Sequence, residues 1–266
     1  FLIVALPFAG RIFSGRRLLR SAIPVVLAVS LAGGLFFTWD DRSNIWNLRS
    51  RSWINSAYPA EAADFVLANG LRGNMFNEYN WGGYLIWRLA PERKVFIDGR
   101  CLDPAVIKES IFVETAFRKK ISGTPAWKSI LESHGVQYII VPFSQPDGTL
   151  LPLVPALMKD REWDPVFLHL NTVIFVKNPG TNSDVTKEYS IPKDYFFAAM
   201  LRVCDSFIQA YPQDIFPYIT KGDLYLITFR LEEARQTYEK ALGIAPFNTT
   251  AKERLQLLLK LRQRAG

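Results

Sequence analysis

Residues 74–100 read NMFNEYNWGGYLIWRLAPERKVFIDGR. A polar and aromatic cluster (Asn77, Glu78, Tyr79, Asn80, Trp81) runs into Gly82 and Gly83. The apolar run 84–89 follows, and a strand pattern at 94–97 leads into Asp98, Gly99 and Arg100. Paired glycines adopt backbone conformations closed to other residues, or let a second backbone or a ligand come close, so the pair implies a tight loop displaying the side chains before it. Asp-Gly is turn chemistry at a strand end, and it leaves Asp98 and Arg100 at the tip, where α/β proteins often keep functional groups. Asn77, Glu78, Tyr79, Asn80, Trp81, Asp98 and Arg100 are therefore the candidate binding residues. A competing reading packs Trp81, Tyr84 and Trp87 into a core and joins Glu78, Asp98 and Arg100 in a structural ion-pair network.

The 266 residues are 49% hydrophobic and 14% aromatic, ample for a core in one or two domains. The net charge of +7 is unevenly spread. Arg11, Arg16, Arg17 and Arg20 crowd one segment, and a second basic cluster spans 252–264. No nucleic-acid recognition motif accompanies this charge, so nucleic acid is not an expected partner. Cys101 and Cys204 lie far apart without a CxxC spacing, and His134 and His169 each stand alone. No metal or cofactor is expected. The sequence also lacks a phosphate-binding glycine loop and a defensible Ser-His-Asp or Cys-His arrangement, so no catalytic residue is assigned.

The opening FLIVALPFAG is apolar and reads as the tail of a membrane helix. Residues 11–20 form an Arg-rich loop. Residues 21–39 (SAIPVVLAVSLAGGLFFTW) give an uncharged span of about 19 residues, enough to cross a core of about 30 Å at about 1.5 Å per residue. A transmembrane helix in a lipid bilayer is expected there, with the Arg-rich loop cytoplasmic. That orientation puts the main soluble part outside a bacterial inner membrane, in the periplasm.

Residues 40–180 follow as an extracytoplasmic α/β domain. Pro59 opens a helix with Glu61 in its first turn and Gly70 beyond its end. Helical spacing recurs at 104–120 and after Pro125. The run VQYIIV (136–141) suits a strand buried on both faces, and 163–170 with 172–177 suit two strands joined at Asn171. The expected fold class is α/β: an N-terminal transmembrane helix, a mixed, mostly parallel sheet with flanking helices, then an all-α tetratricopeptide-like helical repeat. Residues 178–186 (NPGTNSDVT) have linker chemistry.

In the helical domain, 187–266, the spacing Tyr218, Gly222, Tyr225, Ala234, Tyr238, Ala241, Pro246 matches the large and small positions of a 34-residue tetratricopeptide repeat, with Lys221 where Leu is usual. Residues 248–264 form an amphipathic helix that suits a cap, and the helices offer a docking surface for a protein partner.

NEYNWGGYLIW followed by KVFIDGR resembles the soluble C-terminal domain of bacterial C-type membrane glycosyltransferases, which are similar to dolichyl-phosphate-mannose-dependent mannosyltransferases. The resemblance covers 59–100, 127–141 and 163–176. More distantly, Asn80, Trp81, Gly82, Gly83 and Tyr84 are similar to the WWDYG motif of the oligosaccharyltransferase catalytic subunit, without its acidic residue, so peptide-sequon recognition does not carry over. The resemblance implies an acceptor-recognition domain whose catalytic part lies upstream. Because the chain itself holds no catalytic constellation, the favoured reading is a non-catalytic, membrane-anchored interaction or scaffold region, and acceptor recognition is the alternative.

Overall fold

The computed structural model describes residues 58–121 and 123–265, all within the compact unit Ser50–Gly266. Helix α1 (Ala60–Ala68) follows Pro59, carries Glu61 in its first turn and buries Ala62, Ala63 and Val66. Strand β1 (Asn74–Asn77) leads into a single 3-10 turn (Tyr79–Trp81), which continues as helix α2 (Gly82–Leu89). Helix α3 (Pro104–Glu114) starts at Asp103, whose side chain accepts the Ala105 N–H, and has Pro104 in its first turn. A short hairpin, β2 (Lys120–Ile121) and β3 (Thr124–Pro125), precedes helix α4 (Ala126–Ser133). Strand β4 (Val136–Pro142), helix α5 (Leu153–Lys159), and strands β5 (Trp163–His169) and β6 (Thr172–Lys177) complete the α/β part.

The sheet order is β1-β4-β6-β5. Only β1 and β4 run parallel; β4–β6 and β5–β6 are antiparallel. The expectation of a mostly parallel sheet is corrected, and the cause is local. The β5–β6 hairpin folds back so that β6 lies between β4 and β5, next to the central strand. The continuous apolar run of β4 reflects two covered faces rather than parallel neighbours. Ile139 and Val141 join Phe76, Val173 and Phe175 against α4 and α5, while Tyr138 and Ile140 join Met75, Ile174 and Val176 against α1 and α2.

The expected N-terminal transmembrane helix is also corrected. No helix among the described residues is long and apolar enough to cross a membrane. The span at 21–39, with the apolar opening and the Arg-rich loop, lies outside the described residues. The strand expected at 94–97 is absent as well: these residues join no ladder, and the chain bends at Phe96.

Residues 178–186 do not behave as a linker. Helix α6 (Ser183–Tyr189) begins within them, and buried Asn182 exchanges two hydrogen bonds with the Arg72 backbone, at 2.8 and 2.9 Å. Helix α7 (Lys193–Ala210) then puts Phe196, Met200, Cys204 and Phe207 into the same core as β4 and β6. The last three helices are α8 (Phe216–Ile227), α9 (Leu231–Ile244) and α10 (Thr249–Ala265). Gly222 and buried Ala234 let α8 and α9 approach, because a Cβ at Gly222 would come within 2.7 Å of Tyr238 Cδ1. The hairpin is fastened to the α/β part at Gly148 and Leu150. Thr220 Oγ1 donates to the Gly148 carbonyl at 2.6 Å, and the Leu150 N–H donates to Asp223 Oδ2 at 2.9 Å.

Candidate functional site

The 3-10 turn, the outer face of α2 and the 98–100 turn enclose an open hollow of about 510 Å³, lined by Tyr79, Asn80, Gly83, Ile86, Trp87 and the Asp98–Arg100 turn. Four of the seven candidate residues line it (Tyr79, Asn80, Asp98 and Arg100), and three do not. Asn77 is fully buried. Its Oδ1 accepts the Phe96 N–H at 2.8 Å, and its Nδ2 donates to the Ile97 carbonyl at 2.8 Å. Glu78 supports the turn from behind, accepting the Trp81 N–H at 3.1 Å and the Asn80 Nδ2 at 2.6 Å. Trp81 is buried in the core beneath α2.

The helix periodicity explains what faces the hollow. Gly82, Leu85 and Leu89 point into the core, so Gly83 and Trp87 lie on the opposite side. Gly82 is forced by contact: a Cβ there would strike the Ile97 carbonyl and come within 2.6 Å of Asp98 Cβ. Gly83 meets nothing within 4 Å, and its missing side chain keeps the hollow open. Trp87 is 75% exposed. Its ring lies 5.6 Å from Tyr84, which stacks on Tyr58 at 5.0 Å. Arg88 braces this aromatic row by donating to the Tyr84 hydroxyl at 3.0 Å and pairing with Asp64.

On the far wall Arg100 folds back on Asp98. Its Nε donates to Oδ1 at 2.8 Å, its second guanidinium nitrogen to Oδ2 at 3.2 Å, and its backbone N–H to Oδ1 at 2.9 Å. These side-chain bonds first, and the backbone bond second, hold the Asp98 carboxyl below its ordinary range. The wall thus presents a fixed carboxylate–guanidinium pair with little net charge, suited to directional hydrogen bonding rather than to capture of an ion. Behind the turn, burial and the nearby Glu78 push the Glu114 carboxyl up to about 7.

The sequence reading singled out the polar wall and missed Trp87 and Ile86 as lining residues. The signal for Trp87 was its four-residue spacing from Gly83, opposite the positions of Leu85 and Leu89. No protein family, curated protein or solved structure matches the chain.

Proposed function

We propose that this chain is a non-catalytic interaction module: the hollow beside Trp87 takes a ligand, and the tetratricopeptide-like hairpin serves as a scaffold for a protein partner. One observation carries the reading, the exposed face of α2. There a large aromatic side chain stands in water beside an open glycine, and a polar turn with preset geometry faces it across the hollow. Tryptophan is enriched among the residues that dominate binding energy, and ligand hollows combine apolar walls with a few placed polar groups. Because the helical hairpin shares core and hydrogen bonds with the α/β part, anything docked on it is held in a fixed relation to the hollow.

A second reading, an acceptor-recognition domain of a lipid-linked-sugar-dependent glycosyltransferase, is favoured by the chemistry of the same walls. A ring face, an amide and a carboxylate–guanidinium pair match the apolar faces and hydroxyls of a sugar. The test is titration of the isotope-labelled full chain with short peptides and with oligosaccharides, following the Gly83 and Gly99 amides and the Trp87 indole. Shifts with peptides support the interaction module, and shifts with saccharides select acceptor recognition. Silence at all three positions with both ligand sets contradicts the assignment of the hollow as a binding site.

A further inference from the structure

The chain has one run of three consecutive basic residues, Arg118-Lys119-Lys120, and all three side chains are exposed. The run is held in place at both ends. Helix α3 ends in a Schellman arrangement, with Ala116 at φ 48 donating its N–H to the Val113 carbonyl and Phe117 donating to the Phe112 carbonyl, both at 2.9 Å. That reversal lays Phe117 on Phe112 with ring centroids 4.6 Å apart and 18° between the planes. Lys108, one turn earlier, sits over the Phe112 ring at 5.4 Å. Downstream, the Ala126 N–H donates to the Lys119 carbonyl at 2.9 Å, and Lys120 pairs with Pro125 in the β2–β3 hairpin.

Three cations without a carboxylate partner stand consecutively here, with a fourth one helix turn before Phe112. Arg88, Arg100 and Lys128 have carboxylate partners, whereas among the described residues no ion pair involves Lys108, Arg118, Lys119 or Lys120. Of the acidic neighbours in sequence, Glu109 turns toward His134, with Oε2 2.9 Å from Nε2, and burial favours the neutral form of Glu114. Apolar side chains also stand beside the charges: Ile111 is 51% exposed and Phe117 39%.

We propose that this surface docks on an anionic lipid bilayer, with Lys108 and the Arg118–Lys120 run at the headgroups and Phe117 and Ile111 at the boundary with the acyl chains. A bilayer surface satisfies cations and adjacent apolar groups together, at one level. A nucleic acid would neutralise the cations but leave Ile111 facing phosphate and sugar. The inference is independent of the hollow.

The experiment uses the full chain with a polarity-sensitive dye on Thr115→Cys, an exposed position at the end of α3, in a Cys101→Ser background. The readout is local, so partitioning of apolar sequence elsewhere in the chain does not register. Vesicles with roughly a third phosphatidylserine are expected to shift the dye to the blue, high salt to reverse the shift, and pure phosphatidylcholine vesicles to give none. At about fivefold in partitioning per basic residue, Arg118→Glu/Lys119→Glu/Lys120→Glu is expected to lose about 100-fold or more. The milder Lys119→Ala/Lys120→Ala, with an unchanged melting curve, is expected to lose at least about tenfold. An equal shift on neutral vesicles, a shift untouched by these variants, or a response to an acidic peptide or oligonucleotide without one to vesicles overturns the proposal.

Discussion

The side-chain amide of Asn77 does for the backbone at Ile97 what a neighbouring β-strand would. Its Oδ1 takes the Phe96 N–H at 2.8 Å and faces the Ile97 N–H at 3.5 Å, while Nδ2 gives a hydrogen bond to the Ile97 carbonyl at 2.8 Å. The 94–97 segment is thereby fixed alongside β1, and it carries the Asp98–Arg100 wall of the hollow. Asn77→Ala strips a buried donor and acceptor of their partners and is expected to cost about 2 to 4 kcal/mol in urea unfolding. A loss under about 0.5 kcal/mol, typical of a surface change, would show that the segment is held by something else.

The two adjacent glycines have opposite expected responses. Gly82→Ala drives a methyl into the Ile97 carbonyl and Asp98, an overpacking expected to cost about 1 to 3 kcal/mol. Gly83→Ala meets open space on a helix, where alanine is favoured over glycine by about 0.5 to 1 kcal/mol. Thermal melts of the two variants should therefore move in opposite directions from the parent.

Asp223 joins the helical hairpin to the α/β part. Besides the Leu150 N–H it accepts the Tyr238 hydroxyl at 2.6 Å, and Arg254 Nε lies 3.0 Å away as an ion pair without hydrogen-bond alignment. Burial raises the Asp223 carboxyl, and Arg254, Tyr238 and Leu150 offset this in part. Asp223→Ala leaves the Leu150 N–H unpaired and is expected to cost about 2 to 4 kcal/mol. Hydrogen exchange should quicken together in 144–150 and 216–258. Faster exchange in only one of the two segments contradicts a rigid join.

Stability should fall with rising pH through Glu114. Its carboxyl sits at about 7 against an ordinary 4.5, first because burial penalises the charge, then because Glu78 repels it, with a small offset from Ser110. The folded state therefore holds this proton more tightly than the unfolded chain does. The contribution is complete below pH 4.5 and is lost as pH rises through about 7. Glu114→Gln removes that slope and should be more stable than the parent above pH 7, by about 1 to 3 kcal/mol, with little difference in acid. Parallel denaturant curves for the two proteins at both ends of the range test this.

Much of the architecture was legible where one residue type has one local job. Pro59 before α1, the Asn171 reversal between β5 and β6, and the Gly222, Ala234 and Tyr238 spacing all read directly from the sequence. Strand direction did not, because burial of β4 on both faces says only that both are covered. The 94–97 run has strand-like residues, yet its partner is a side chain, which no periodicity encodes. The candidate site split for a related reason. Asn77 and Asn80 are chemically alike, but one closes a buried strand and the other sits in the middle of a 3-10 turn, and the difference lies in where the chain bends. Trp81 and Trp87 likewise separate only once α2 is known to begin at Gly82.

The central claim, that the hollow beside Trp87 is a binding site rather than an incidental dent, is tested most directly by Trp87→Ala. Ligand titration and a melting curve are run on the same preparation. The ring is 75% exposed, so its loss is expected to leave stability within about 0.5 kcal/mol of the parent while abolishing the ligand-induced shifts at Gly83 and Gly99. A melting temperature lowered by several degrees with those shifts intact would contradict the claim.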